Sequence, residues 1–370
     1  MKPYQRIASL LLVICFLLTA CDEIKQTPPP DTDATQTPGT ELTPIDLQVG
    51  YGVRGSWFEL YFTDPANPFS SQGTGGVDGP LVEAIDAARL SIDVAAYSIS
   101  LNSVRYALIR AHDRGVTVRI VMESTNMDRS DPQALIEAGI PIVGDNRAGL
   151  MHDKFIVIDK SEVWLGAMNF TDSGAYDDNN NLIRMMSTEI AEDYSQEFKE
   201  MFEDDSFGPD INPQTPNPTV TIDGTRVDVY FSPDDGVLNA LGLLLTDAED
   251  SIHFLAFSFT SNELGAVVRQ KHADGLDVSG VMDEEQIASN TGTEFDPFRQ
   301  KGVDVLIDGN PGQMHHKLFI IDEKIVAFGS YNFSQSAEEK NDENLIVIYN
   351  PEIAQQFMLE FDRVRSQVHP

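Results

Sequence analysis

The chain has 370 residues, 41% of them hydrophobic, enough to bury the cores of two or more domains. Acidic residues outnumber basic ones 59 to 25, a formal net charge of -34. A surface of that sign repels polyanions at long range. This weighs against a nucleic-acid scaffold and against docking on strongly anionic lipid, while leaving room for a local basic cleft.

The first feature in chain order is a leader. Lys2 and Arg6 form a positive segment ahead of a 14-residue apolar run from Ile7 to Ala20, short of the roughly 20 residues of a membrane-spanning helix. It ends in Leu18-Thr19-Ala20-Cys21, which resembles the lipobox of a bacterial lipoprotein; an ordinary secretory signal is the alternative. The lipobox implies removal of residues 1–20, lipidation of Cys21, and an exported protein anchored to the extracytoplasmic side of a membrane. Cys15 and Cys21 are the only cysteines, so the mature core carries no disulfide. Residues 21–46 are rich in Pro, Thr and Asp and read as a disordered tether.

The folded part begins with a short strand, Phe58 to Phe62. A helix follows, with Leu81, Ala84, Ile85 and Ala88 at helical spacing. "SIDVAAYSI" alternates as a strand does. Val104 to Arg114 reads as a helix ended by Gly115. "VTVRIVM" is a strand, "DPQALIEAG" a short helix with Pro near its start, and "IPIV" a strand. "FIVID" and its later counterpart "LFIID" are continuous apolar runs, as in a sheet covered on both faces. Strands alternating with helices predict a layered α/β fold.

The same order then recurs, with Val227 to Phe231 as the first strand. Ala88–Ser100 matches Ala248–Thr260, and the helix end and strand from Arg110 to Glu123 recur more loosely. "GLMHDKFIVID" matches "GQMHHKLFIID", "GAMNFT" matches "GSYNFS", and "EIAEDYSQEF" matches "EIAQQFMLEF". Repeats of this kind define the architecture: a first domain over 47–207, a Pro/Asn linker over 208–219, and a second domain over 220–370. Two such halves can pack about an approximate two-fold axis.

The shared pattern is His152, Lys154, Asp159, Gly166, Ala167 and Asn169 in the first copy, and His315, Lys317, Asp322, Gly329, Ser330 and Asn332 in the second. Strand side chains alternate, so each His shares a face with its Lys, while His316 points the other way and stays outside the site. Doubled across a two-fold, the pattern offers two imidazoles for nucleophilic and acid–base work. It also offers two ammonium groups and two amides to an anion whose charge grows in the transition state. A phosphodiester suits that set.

This doubled His-x-Lys-x4-Asp motif, followed by Gly-Ser-x-Asn, resembles the signature of the phospholipase D superfamily over nearly all of residues 47–370. The resemblance implies a duplicated phospholipase D-like fold: two α/β/α halves packed as a monomeric pseudo-dimer with the active site at their interface. It implies metal-independent, two-step phosphodiester transfer with no cofactor. His152 and His315 would be the catalytic pair, with His152 as nucleophile, through a phosphohistidine, and His315 as general acid. Lys154, Lys317, Asn169 and Asn332 would bind phosphate oxygens, with Ser330 helping in the second copy. Asp159 and Asp322 belong to the catalytic motif; their strand parity points them away from the phosphate, towards supporting the loop. The family also sets an acid against the catalytic imidazole, which Glu343 supplies in the second copy. At the matching position of the first copy stands Asn180, with Asp177 or Asp178 as possible substitutes, and Ala167 replaces Ser.

Other residues have plainer readings. His112 and His272 sit near helix ends, where such side chains favour the C-terminus. His253, matched by Asp93, reads as a surface residue, and the phenylalanines of "FLAFSF" as core. Asp128, Asp131 and the acidic run at Glu203 read as a solvated face; no Cys/His cluster has metal-ligand spacing. The favoured substrate is a phospholipid headgroup, since Lys and Arg, which nucleic-acid binding needs, are depleted and a lipid anchor would hold the enzyme near bilayers. A secreted or surface-anchored nuclease is the alternative, and a non-catalytic phosphate-binding module a third.

Overall fold

The structure is a computed structural model that describes residues 42–209 and 214–368. The leader, Cys21 and most of the tether lie outside those residues.

The first half forms a nine-stranded sheet: β1 (Thr43–Ile45), β2 (Tyr51–Arg54), β3 (Phe58–Phe62), β4 (Ser91–Ala96), β5 (Thr117–Met122), β6 (Ile142–Gly144), β7 (Lys154–Ile158), β8 (Glu162–Gly166) and β9 (Asn181–Met185). The second half forms an eight-stranded sheet: β10 (Thr219–Ile222), β11 (Thr225–Ser232), β12 (Ser251–Ala256), β13 (Asp277–Met282), β14 (Asp304–Ile307), β15 (Lys317–Ile321), β16 (Ile325–Gly329) and β17 (Glu343–Tyr349). The spatial order β3-β9-β8-β7-β4-β5-β6 is repeated as β11-β17-β16-β15-β12-β13-β14. In each half three parallel strands (β4, β5, β6; β12, β13, β14) continue into antiparallel hairpins. β1 pairs with β2, Thr43 opposite Arg54. The expected tether therefore ends by residue 42, because its last residues find an open sheet edge.

β7 and β15 are buried at every position, which explains their unbroken apolar runs. Helices Asp78–Ala87, Asn102–Asp113 and Ser130–Glu137 cover one face of the first sheet, burying Leu81, Ile85, Val104, Leu108 and Leu135. Val237–Thr246, Asn262–Ala273 and Phe295–Lys301 cover the equivalent face of the second.

The inner faces share one core. Helices Thr188–Asp204 and Pro351–Ser366 are capped alike: Ser187 Oγ and Asn350 Oδ1 each accept the backbone N–H three residues on, with Pro351 opening the second helix. Their apolar stripes cross between halves. Phe357 packs edge-on against Phe62 at 5.1 Å, and Tyr194 against Phe231 at 5.0 Å. The two halves thus fall in a single compact unit.

Two readings of single residues need correction. His253 is buried, 5% exposed, with Nδ1 2.8 Å from Ser279 Oγ and its ring against Phe361; β12 is a central strand, and the helix Pro351–Ser366 covers that face. Asp131 is largely covered and pairs with Arg105, whereas Glu203 is exposed as expected and pairs with Arg119 at the surface.

Candidate active site

Both motifs begin where the halves touch through isolated β-bridges. Met151 bridges to Asp342, and Met314 to Asn179, each in parallel register. His152 N–H donates to Asp342 O at 2.9 Å, and His315 N–H to Asn179 O at 3.0 Å. Each His therefore enters its strand clamped to the opposite half.

The side chains follow the same crossing. His152 Nδ1 lies 2.7 Å from Glu343 Oε2, while His315 Nδ1 lies 2.9 Å from Asn180 Oδ1. Glu343 serves the first half's imidazole, not the one in its own copy, and Asn180 likewise reaches across. An ionised carboxylate can only accept, so Nδ1 of His152 carries the proton and Nε2 keeps its lone pair. Asn180 Nδ2 donates to Gly174 O at 2.9 Å, which turns its oxygen to His315 and fixes that tautomer too. Asn341 Nδ2 holds the other oxygen of Glu343 at 3.0 Å. Asp177 and Asp178 do not reach His315; Asp178 instead accepts the Gln313 N–H.

Lys154 and Lys317 are 1% and 0% exposed, and each donates to the carbonyl of its own His at 2.7 Å. Tyr97 and Phe257, half-buried counterparts, sit edge-on to His152 and His315 at 5.1 and 4.7 Å. They also lie beneath the two ammonium groups. Asn169 and Asn332 make no side-chain hydrogen bond among the described residues, and each keeps a buried, unpartnered Oδ1. Buried amide oxygens left unmet call for a polar partner that the chain itself does not supply. The Gly before each is demanded by close approach: a Cβ on Gly329 would lie 2.2 Å from Asn344 O, and one on Gly166 2.4 Å from Asn181 O.

Burial sets the electrostatics. It lowers His152 to about 4, Glu343 opposing and Lys154 adding to the fall. Burial, then Lys317, Lys154 and His152, push His315 well below its usual value. Lys154 is lowered to about 7 by burial, with Glu343 and Asp153 opposing; Lys317 falls well below its usual value through burial and Lys154. Contributions that run between halves place the two His-Lys pairs within one another's fields. An anion arriving between them would reverse these shifts, because each positive group would gain the partner it lacks.

Asp159 and Asp322 stay out of the cluster, as their strand parity implies, while the expected role of Ser330 changes. Each opens a tight turn whose two central residues have positive φ (Asp159 52° and Lys160 54°; Asp322 52° and Glu323 52°), a conformation Asp tolerates. From there the Asp159 carboxylate accepts the N–H groups of Arg89, Leu90 and Ser91, and Asp322 those of Glu249, Asp250 and Ser251. These tie the far end of the strand to the neighbouring loop. Ser330 is fully buried and accepts the Asn344 N–H at 2.9 Å, so it braces Asn344 and does not face a phosphate. His316 lies on the opposite face, bonded to Glu360 at 2.7 Å and Asn181 at 3.1 Å.

A family profile described as "Cardiolipin synthase, PLD-like domain" matches residues 81–202 and 243–365, once in each half. The chain belongs to the phospholipase D-like family. A mitochondrial cardiolipin hydrolase of Homo sapiens is 33% identical to it over 136 residues, 37% of this chain and 54% of that protein. A phospholipase D of Rickettsia conorii is 30% identical over 134 residues, 36% of this chain and 66% of that protein. Each match is shorter than one half, and the chain spans just over half the length of the human relative. A phosphatidylserine synthase of Haemophilus influenzae Rd KW20 shares the phospholipase D-like fold at a TM-score of 0.59 and 14% identity, over 83% of this chain and 85% of that one.

Proposed function

We propose that the protein is a phospholipase D-type phosphodiesterase acting on phospholipid headgroups. The observation that carries this reading is the crossed pair of oriented imidazoles, His152 on Glu343 and His315 on Asn180, with a buried lysine beside each. His152 Nε2 attacks phosphorus and the bond to the headgroup alcohol breaks, while His315 Nε2 gives that oxygen a proton. His315 then takes a proton from water, the water oxygen bonds to phosphorus, and the N–P bond breaks. Lys154, Lys317 and the amides of Asn169 and Asn332 hold the non-bridging oxygens as charge grows on them. Glu343 stabilises the charged imidazole during the first step, which favours His152 over His315 as nucleophile. Both imidazoles come from one chain, so a monomer is sufficient.

The lipid preference rests on charge. Near the site Arg147 is bonded to Asp342 and Arg363 to Glu360, so neither is free to follow a nucleic-acid backbone. The half-buried aromatics Tyr97 and Phe257 suit an amphiphile. The leader and Cys21 would hold the enzyme at a membrane as an exported lipoprotein, which acyl-chain labelling of wild type and Cys21→Ser tests. For the activity, the test is one assay set in EDTA: phosphatidylcholine, phosphatidylethanolamine and cardiolipin vesicles against single-stranded and plasmid DNA. Headgroup release abolished in His315→Ala is expected. DNA cleavage without lipid turnover would transfer the reading to a nuclease, and no turnover of either would remove the enzymatic one.

A further inference from the structure

Each catalytic imidazole is set by two successive residues of the opposite half. His152 takes its backbone clamp from Asp342 and its Nδ1 partner from Glu343, while His315 takes them from Asn179 and Asn180. The clamps are reciprocal: Asp342 N–H returns to Leu150 O at 2.9 Å, and Asn179 N–H to Gln313 O at 2.8 Å. Whatever fixes Asp342 or Asn179 therefore fixes the orienting side chain one position on.

An arginine does so in each case, and each crosses between the halves. Arg147, from the loop ahead of the first motif, donates to the carboxylate of Asp342 and to Lys340 O. The other oxygen of Asp342 takes the Gly208 N–H at 2.6 Å. Gly149 and Gly208 leave the room that the guanidinium fills, since a Cβ on either would run into it. Arg363, from the helix Pro351–Ser366, donates to Asn179 Oδ1 at 2.8 Å and closes on both oxygens of Glu360 at 2.7 Å. Glu360 is fully buried and also accepts the Tyr51 hydroxyl at 2.6 Å, with His316 Nε2 at 2.7 Å. The far side of that imidazole meets Asn181, so Asn180 stands between two residues tied to one network.

Duplication does not account for the two arginines. Register on the motifs sets Arg147 against Asn310, and register on the helices sets Arg363 against Glu200. Different positions in the two repeats thus hold the residue just before the one that orients the imidazole. A guanidinium suits the task because its planar fork fixes two partners at once, which an ammonium does not.

We propose that Arg147 and Arg363 are positioning residues, each drawing the opposite half's orienting strand onto the catalytic imidazole of its own half. Arg147 thereby governs the nucleophile His152, and Arg363 the acid His315. The chemical consequence rests on the phosphodiesterase reading given above.

The test uses Arg147→Lys and Arg363→Lys in the full chain, which keep the charge and lose the fork. First-turnover release is measured from bis(p-nitrophenyl) phosphate, whose p-nitrophenolate departs unprotonated, and from a short-chain phosphatidylcholine, whose choline oxygen needs the His315 proton. Arg147→Lys should slow both by about 10²-fold. Arg363→Lys should slow choline release by about 10²-fold and p-nitrophenolate release far less. Equal losses on both substrates in Arg363→Lys, or no loss in either variant, would overturn the proposal. A second readout needs no turnover: proton NMR of protein carrying isotope-labelled histidine. Arg147→Lys should open only the His152 Nδ1–H to solvent exchange, and Arg363→Lys only that of His315. The same opening of both protons in both variants would mark general loosening and also overturn the proposal. Where a lysine variant does not fold, Asp342→Asn or Asn179→Ala perturbs the same bond from its acceptor side, with the same selectivity expected. A wild type inert towards both phosphodiesters would remove the functional reading alone, because the exchange pattern would still decide this one.

Discussion

Replacing Glu343 by Gln removes one negative charge while keeping the side chain's shape, and gives His152 the same kind of partner that His315 already has in Asn180. The carboxylate is fully buried and 2.7 Å from His152 Nδ1. With the charges about 4 Å apart and an effective dielectric of about 20, the lost attraction for a developing imidazolium is about 4 kcal/mol. That corresponds to about 10³-fold in the rate of the first step. The assay is pre-steady-state hydrolysis of an activated phosphodiester such as bis(p-nitrophenyl) phosphate, with acid-labile phosphoprotein trapped and mapped. Glu343→Gln should slow formation of phospho-His152 by that factor, with substrate affinity little changed. Asn180→Ala should act more weakly, because it removes a hydrogen bond but no charge. If Glu343→Gln kept the wild-type burst while His152→Ala abolished it, the crossed carboxylate would not be what activates the nucleophile.

Burial holds Lys154 near 7 in the free protein. A lowered base is charged below its pKa and neutral above it, so kcat/KM should fall as pH rises through about 7, and phosphate binding should take up protons in titrations across buffers of different ionisation enthalpy. A profile flat between about pH 6 and 9 would contradict this assignment. Asp322→Ala strips acceptors from three backbone N–H groups and should lower unfolding free energy by about 1–3 kcal/mol, with kcat within about threefold of wild type. A large loss of kcat at unchanged stability would return Asp322 to the chemistry. Phe357→Ala should cost about 3–5 kcal/mol. Since Phe357 packs on Phe62 of the other half, scanning calorimetry should show one transition moved down and not two.

Much of this was written in the chain. The repeated strands are so uniformly apolar that burial on both faces follows directly, and period-two spacing alone puts Lys154 with His152 and sends His316 to the opposite face. The same parity turned Asp159 away from the phosphate, and the positive φ of its turn explains why Asp stands there. The crossing of partners was not legible. A linear repeat gives what each half contains but not which half a side chain serves, and Glu343 lies nearer His315 in sequence than it does to His152. His253 misled for a related reason: a polar residue inside an apolar run looks exposed until its strand proves central and Ser279, on β13, supplies a partner. Ser330 was placed by motif, whereas its burial beneath Asn344 depends on how β16 meets β17.

The exchange of Glu343 and Asn180 also bears on inheritance. Once two copies lean on each other this way, neither can be discarded, inactivated or separately replaced without disarming its sibling, since Glu343 of the second repeat orients His152 of the first. The fused gene is thereby locked into keeping both.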